Sequence, residues 1–235
     1  MTNKIKLIDL LTELIAFESV TPCDAGSLDY IAAFVENLGG SCVRLKRNQT
    51  TNLIATLGTG STVFAFAGHV DVVPTGDVTH WVTQEPFKLQ QIGDKLIGRG
   101  VADMKGAIAA FLLALADFIE KNAPDSYQIK LLITSDEEGS AVDGTPLMVE
   151  YLQQNKQRLN YCLVGEPSCV TQLGDTIKVG RRGSLTGDLV VHGKQGHIAY
   201  PHLCVNPIHS FAPALTELST QIWDQGNQYF PATSL

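Results

Sequence analysis

The stretch LLITSDEEGS, residues 131–140, decides the fold. An apolar run ends in three consecutive carboxylates, Asp136, Glu137 and Glu138, followed by a glycine. Neighbouring like charges repel, so gathering them at the end of a buried strand favours a compensating cation nearby. In α/β sheets, ligands bind beyond the carboxyl ends of the strands. The stretch therefore predicts a buried strand that delivers polar groups to a site.

Helical and strand-like patterns alternate on both sides of this stretch. Helices are predicted over 5–16, 27–38, 105–120 and 145–154, and strands over 52–57, 62–68, 128–135 and 161–165. Strands separated by helices are typical of an α/β domain with a mostly parallel sheet. From about residue 180 the pattern changes: GSLTGDLVVHG (183–193) alternates as a half-exposed strand does, and a helix is predicted at about 207–223. We therefore place a domain boundary between residues 179 and 180.

Composition excludes several classes of protein. The chain has 235 residues, of which 44% are hydrophobic, and a net charge of -7, which argues against a nucleic-acid partner. The most apolar segment, 107–119, is shorter than the roughly 18 residues of a membrane span. The N-terminal segment carries Asp9 and Glu13, unlike a signal peptide, and five cysteines without a CxxC pair indicate reduced thiols. We expect a cytoplasmic protein with a small-molecule substrate and no membrane partner.

Residues that bind metals follow the other predicted strands as well. His69 and Asp71 come after the strand at 62–68, Asp103 lies in a glycine-rich connection before a helix, and Glu166 follows the strand at 161–165. Histidine and carboxylates suit Zn²⁺ and similar cations. Several carboxylates also suit two metals, one carboxylate bridging them. The set predicts a metal site at the strand ends.

Each of these residues has an ordinary alternative when it is taken alone. Asp103 before a helix is an N-cap candidate, Glu137 and Glu138 fit a solvated turn, and a single histidine or loop acid is commonly a surface residue. The coincidence at four strand ends favours the metal site. Neighbouring residues of an extended chain point to opposite sides, so Glu137 and Glu138 can divide the work. One would face a metal and the other its water.

Other catalytic motifs are absent from the sequence. Neither HExxH nor GxSxG occurs. GRGVADMKG (98–106) begins like a dinucleotide fingerprint, but its sixth position is Asp103 instead of glycine.

Four blocks of sequence resemble the signatures of the co-catalytic zinc aminoacylase and carboxypeptidase family. They are GHVDVVPTGD (68–77), GRGVADMKG (98–106), TSDEEG (134–139) and VGEPS (164–168). A longer block, 173–209, resembles the branch of that family that removes succinyl groups. The resemblance implies a mostly parallel-sheet catalytic domain, its N-terminal part at 1–179, and an inserted α+β dimerisation (lid) domain, its N-terminal part at 180–235. Both domains would be incomplete in these 235 residues.

The resemblance also implies a ligand set for two zinc ions in each subunit, for which Co²⁺ can substitute. His69 and Glu166 would bind one zinc, Asp103 would bridge both, and Glu138 would bind the second. The peptide bond between Asp103 and Met104 is expected to be cis. The family's remaining ligand is a histidine far toward the C-terminus. His209, the last histidine here, lies in a helix of the lid domain and cannot replace it, so we expect the N-terminal part of a longer enzyme.

Catalytic and substrate-binding residues follow from the same resemblance. Glu137 would be the general base and Asp71 would support the first zinc-binding histidine. His197 would reach the active site of the partner subunit in a homodimer; taken alone, it also fits a structural hydrogen-bonding residue. Arg181 and Arg182 are candidates to bind a substrate carboxylate, because a guanidinium can hold a carboxylate through two hydrogen bonds, and a surface ion pair is the alternative for either one. Tyr200 is a further candidate for substrate binding. The implied reaction is hydrolysis of an N-succinylated diamino acid of the lysine and cell-wall pathway. The alternatives are another member of the family, such as an acetylornithine deacetylase or a dipeptidase, and a non-catalytic fragment.

Overall fold

The computed structural model describes residues 6–235, and the described chain forms two compact units. The first ends at Cys169 and the second begins at Val170. The division lies inside the segment that we assigned to the first domain. The boundary at 179 and the roles of the two domains remain predictions.

The described residues of the first unit form four α-helices and seven strands. Its helices are α1 (Leu7–Ala16), α2 (Ser27–Asn37), α3 (Gly106–Ile119) and α4 (Thr145–Gln154). Its strands are β1 (Ser41–Arg47), β2 (Thr50–Leu57), β3 (Val63–His69), β4 (Gln90–Ile92), β5 (Lys95–Ile97), β6 (Gln128–Thr134) and β7 (Tyr161–Val164). Within this unit, the predicted helices and strands are confirmed within about two residues of their ends. Residue 5, which the first predicted helix included, lies outside the described residues.

Five strands form a mixed sheet in the order β1-β2-β6-β3-β7. β3 is parallel to both β6 and β7, while β2 is antiparallel to β1 and β6. His69, the last residue of β3, is the register partner of Thr134, the last residue of β6. These two strands therefore end side by side, and the segments that follow them start from the same edge of the sheet.

Successive strand residues point to opposite faces of this sheet. Apolar residues therefore lie on both faces, and helices pack against each of them. The larger core combines α1, α2 and α3 with residues such as Leu53, Phe66 and Leu131. The smaller core joins α4 to the opposite face, at Ile54 and Leu132 among others. α3 buries four residues, each large aliphatic side chain contributing roughly 1.5–3 kcal/mol. None of the helices in the described chain is long and apolar enough to cross a membrane.

The second unit, described by itself, differs from the sequence-based expectation. Its helix α5 spans Pro207–Thr220, capped by the Asn206 side chain, which accepts hydrogen bonds from the N–H groups of Ile208 and His209. The chain is extended at Gln221, so the helix ends before the predicted residue 223. The strand predicted over 183–193 is wrong. An alternating segment forms a strand only when a neighbour pairs with it, and sheet pairing within the described residues 170–235 is limited to one isolated bridge, Lys194 with Val205.

Candidate metal centre

Four connections bring polar side chains to the carboxyl ends of β3, β6 and β7. His69 ends β3, and the segment after its register partner in β6 carries Glu137 and Glu138. Glu166 follows β7, the other neighbour of β3. Asp103 lies in the turn that precedes α3. Because of this register, the residues that follow β3, β6 and β7 start from one edge of the sheet, where the sequence predicted a metal site.

His69 lies at the centre of the group and is almost fully buried, with 1% of its side chain exposed. Its Nε2 atom is 3.0 Å from Asp103 Oδ1, 3.4 Å from Glu166 Oε1 and 3.9 Å from Glu137 Oε2. Its Nδ1 atom lies 2.9 Å from the backbone carbonyl oxygen of Asp71. An Nδ1–H that donates to this carbonyl leaves Nε2 as the ligand atom, facing the carboxylates.

Two overlapping groups of side chains could hold metal ions. One is His69, Asp103 and Glu138, and the other is His69, Glu137 and Glu166. In each group, one ligand atom from every residue lies within 4.8 Å of the others. Imidazole and carboxylate are the donors that borderline divalent cations prefer. The chemistry and spacing of the donors therefore fit metal binding.

Asp71 is fully buried and organises the turn that carries the two glutamates. Its carboxylate accepts the backbone N–H of Glu137 and the backbone N–H of Glu138, each at 3.0 Å. The same carboxylate lies 3.5 Å from Nδ1 of His69. Burial raises the pKa of Asp71, but hydrogen bonds from His69 and from the backbone of Glu138 lower it below its usual value overall. Asp71 thus connects the buried histidine to both glutamates.

Negative charge is in excess at this centre when no metal is bound. Burial opposes protonation of His69, but the Asp71 and Glu166 carboxylates outweigh it and raise the pKa of the imidazole to about 11. Burial, with neighbouring carboxylates, raises the pKa values of Glu137 and Glu138. A divalent cation would reverse these shifts, because it favours neutral imidazole and ionised carboxylates.

Glycines before the ligands make room for Met104, which is fully buried behind them. A Cβ atom at Gly68 would lie 2.5 Å from Met104 Cε, and one at Gly165 would lie 2.7 Å from the same atom. Both distances are shorter than any real contact, so a side chain at either position would displace Met104. Glycine beside a ligand is therefore a packing requirement at two of the strand ends. The peptide bond that precedes Met104, from Asp103, is cis, as the family resemblance implied.

A segment that sequence reasoning missed ties these connections together. The Ser19 hydroxyl donates to the Val70 carbonyl at 2.6 Å, and the Val72 N–H donates to the Ser19 carbonyl at 2.9 Å. The Ser135 hydroxyl, just before the three carboxylates, donates to the Pro22 carbonyl at 2.9 Å. In sequence, this segment is an ordinary loop between two helices, and only the folded contacts show its role.

Lys105 is a second residue that sequence reasoning missed. It is fully buried, and its Nζ donates to the Phe17 carbonyl at 2.9 Å. Burial lowers the pKa of this lysine to about 8, with the Asp71 carboxylate acting in the opposite direction. The one available signal was its position two residues after Asp103, where an ordinary lysine would be read as solvated.

The remaining predicted site residues lie in the second unit. The rings of His197 and Tyr200 are 5.9 Å apart, and His197 Nδ1 accepts the Ala199 N–H at 3.1 Å. Both residues are exposed. Arg181 lines a cavity of about 690 Å³ within that unit, which Trp223 and Asp224 also line. The catalytic role of His197 and the substrate-binding roles of Tyr200 and Arg181 remain predictions.

Comparison with known proteins places this geometry in a family. The sequence profile of peptidase family M20/M25/M40 matches residues 65–231, a range that includes all six residues of the candidate centre. The chain belongs to this family. Curated relatives of the M20 chain include two succinyl-diaminopimelate desuccinylases. That of Psychromonas ingrahamii is 49% identical over 228 residues, and that of Nitrosomonas europaea is 51% identical over 227 residues.

Each of those alignments covers 97% of this M20 chain and 60% of the relative. The chain therefore spans 60% of the length of these relatives. Among solved structures, human carnosine dipeptidase 1 is similar with a TM-score of 0.61 and 24% identity, covering 69% of this chain and 38% of that one. A tripeptidase from Staphylococcus aureus has a TM-score of 0.61 and 17% identity, covering 92% and 57%. At these identities the structures support the M20 fold alone.

Proposed function

We propose that this chain is part of a homodimeric enzyme that hydrolyses N-succinyl-LL-2,6-diaminopimelate to succinate and LL-2,6-diaminopimelate in the cytoplasm. The observation that carries the proposal is identity of 49% and 51% to two succinyl-diaminopimelate desuccinylases across 97% of the chain. The reaction would serve lysine and cell-wall precursor synthesis. Its chemistry is amide hydrolysis assisted by two zinc ions, for which Co²⁺ can substitute.

The ligands proposed for zinc are residues of the candidate centre. His69 and Glu166 would bind one ion, Glu138 the other, and Asp103 both. Support comes from Nε2 of His69, which lies within 3.4 Å of both Asp103 and Glu166, and from the group that joins His69 and Asp103 to Glu138. When bound, the zinc ions would supply a Lewis acid for the amide carbonyl and acidify the attacking water.

Glu137 is the proposed general base. Its Oε2 is farther from His69 Nε2, at 3.9 Å, than are the oxygens of Asp103 and Glu166, and 46% of its side chain is exposed. It would take a proton from the water that attacks the carbonyl carbon and deliver that proton to the leaving nitrogen as the C–N bond breaks. The backbone N–H groups of Glu137 and Glu138 donate to the Asp71 carboxylate, so Asp71 would position the base.

Residues of the second unit complete the proposed mechanism. The partner subunit's His197 would donate a hydrogen bond to the oxyanion that forms on the carbonyl oxygen. Arg181 would bind a substrate carboxylate, because a guanidinium can hold a carboxylate through two parallel hydrogen bonds. Tyr200, whose ring lies close to that of His197, would contact substrate beside it.

Side-by-side hydrolysis tests the substrate. Residues 1–235 replace the corresponding segment of the Nitrosomonas europaea desuccinylase, and the zinc-loaded chimera is assayed with three substrates: succinyl-diaminopimelate, N-acetylornithine and a dipeptide. We expect the highest kcat/KM with succinyl-diaminopimelate. A higher kcat/KM with either competitor would identify the chain as part of another M20 enzyme.

A further inference from the structure

Asp136, the first of the three consecutive carboxylates, has no place in the metal centre described above. It is 2% exposed and belongs to neither group of candidate ligands, whereas Glu137 and Glu138 each belong to one of them. A buried carboxylate that binds no metal needs other hydrogen-bond donors, because leaving its oxygens unsatisfied is unfavourable. The partners of Asp136 therefore indicate what the residue does.

Backbone N–H groups farther along the chain are the donors. The Ala141 N–H donates to Asp136 Oδ1 and the Asp143 N–H donates to Asp136 Oδ2, each at 3.1 Å. A carboxylate that accepts two backbone N–H groups fixes the course of the chain between itself and them. The Asp136 side chain therefore closes residues 136–143 into a loop, and the two glutamates lie within it.

This loop returns closely to the residue at which it starts. A Cβ atom placed on Gly139 would lie 2.9 Å from Asp136 Oδ1, and one placed on Gly144 would lie 2.5 Å from the Asp136 carbonyl oxygen. Both distances are shorter than any real contact, so the backbone at the two glycines lies directly against Asp136. The chain thus meets Asp136 again just before α4 begins at Thr145.

The far end of the loop is fastened to the hairpin formed by β1 and β2. Asn52 in β2 is fully buried, and its Nδ2 donates to the Asp143 carbonyl at 2.8 Å. The Nδ2 of Asn48, in the turn between β1 and β2, donates to the Asp143 carboxylate at 2.7 Å. The loop is therefore held at both ends, by Asp136 where it starts and by the two asparagines where it finishes.

We propose that Asp136 is a positioning residue, which fixes the backbone from which Glu137 and Glu138 project by closing this loop. The inference rests on the metal centre and general base of the proposed function, but not on its substrate. Misplacing a catalytic group by about 1 Å can cost a hundredfold in rate. Opening the loop should therefore lower kcat and weaken zinc binding. It should leave KM nearly unchanged, because the proposed substrate-binding residues lie in the second unit.

Two substitutions in the chimera described above test this role. Asp136→Asn keeps the shape of the side chain but has one acceptor oxygen for two N–H groups, and Asp136→Ala has none. Both should lower kcat by about ten- to a hundredfold and raise the zinc dissociation constant, measured by chelator competition, several-fold. The assay uses whichever of the three substrates the unmodified chimera hydrolyses fastest, so an error in the proposed substrate leaves the test intact.

Asn160→Ala is a matched control for the loss of stability. Asn160 Oδ1 accepts the Val63 N–H at 2.8 Å, so this variant also deprives a backbone N–H of its side-chain acceptor. Val63 begins β3, at the opposite end of the strand from His69. Asn160→Ala should therefore lower the Tm of thermal unfolding but leave kcat and the zinc dissociation constant unchanged.

Asn48→Gly loosens the same loop from the surface and decides the question if neither Asp136 variant folds. Asn48 has a φ of 53°, which glycine adopts freely, so the change removes the hydrogen bond to Asp143 without straining the turn. Its kcat should fall several-fold.

A purely structural role for Asp136 would give a different result. If the folded Asp136 variants lost Tm as Asn160→Ala does but kept kcat and zinc affinity, the positioning role would be overturned. An unchanged kcat in Asn48→Gly would overturn it where the Asp136 variants do not fold. An unmodified chimera that binds no zinc would instead refute the metal centre of the proposed function, and this inference with it.

Discussion

Replacing Glu137 by glutamine separates the roles of the two adjacent glutamates. The change keeps the size of the side chain but removes its ability to accept a proton at neutral pH. Glu137 Oε2 lies 3.9 Å from His69 Nε2, farther than the oxygens of Asp103, at 3.0 Å, and Glu166, at 3.4 Å. Replacing Glu137 therefore leaves the proposed ligands in place. We expect unchanged zinc content and a large loss of turnover.

The size of that loss follows from the proposed role of Glu137. Removing a general base typically costs about 100- to 10,000-fold in rate, which corresponds to about 3–5 kcal/mol in the activation barrier. The assay measures kcat for succinyl-diaminopimelate with the chimera described above, and elemental analysis of the same sample measures zinc. Glu138→Gln is the matched control, and it should lose zinc and turnover together.

One outcome would refute the assignment of these roles. Glu137 also belongs to a possible ligand group with His69 and Glu166. If Glu137→Gln lost zinc in proportion to its activity while Glu138→Gln kept its zinc, the ligand and the base would have to be exchanged. A Glu137→Gln variant with normal turnover would exclude general-base catalysis by this residue.

Three further predictions concern the partner subunit, the metal content and the protons of the centre. Mixing chimeras that carry His197→Ala with chimeras that carry Glu137→Gln should restore activity, since a mixed dimer contains one intact site; mixtures as inactive as their parents would contradict action across subunits. The 235-residue chain should hold fewer than two tightly bound zinc ions by elemental analysis, because Asp103 and Glu138 give the second ion two ligands instead of the usual three; two tight ions would point to a ligand not yet identified. Zinc uptake at pH 8 should release protons, because the metal-free pKa of His69 is raised to about 11 and the proton must leave. Calorimetry in buffers of different ionisation enthalpy measures this proton release. The affinity for zinc should weaken as the pH falls. An affinity for zinc that does not depend on pH would argue against His69 as a ligand.

The part of the fold next to the candidate centre could be predicted from sequence because its signals are local. Apolar strands that end in, or lead directly into, the segments of His69, Glu138 and Glu166 carry the strand pattern and are followed by the candidate ligand. β1 was missed because three of the seven residues in SCVRLKR are charged, as an exposed edge strand tolerates. The strand predicted over 183–193 failed for the opposite reason, since its pattern is clear but a strand also needs a partner that local sequence does not reveal.

Within the site, sequence could predict the candidate ligands but not their support. His69, Asp103 and the glutamates are residue types with recognisable metal chemistry. Ser19 and Lys105 contribute through contacts with segments distant in sequence, 51 residues away for Ser19 with Val70 and 88 for Lys105 with Phe17. The hydrogen bonds from the glutamate backbone to Asp71 likewise depend on the parallel register of β3 and β6. Such contacts are consequences of packing and have no signature in a single sequence.

Anomalous X-ray diffraction at the zinc edge, from crystals of the 235-residue chain grown with zinc, tests the metal centre most directly. We expect a peak about 2.0–2.2 Å from His69 Nε2 and from carboxylate oxygens of Asp103 and Glu166. The carboxylate of Glu137 should lie outside that ligand set. A zinc peak at other residues, with none beside His69, would show that these residues do not form the metal centre.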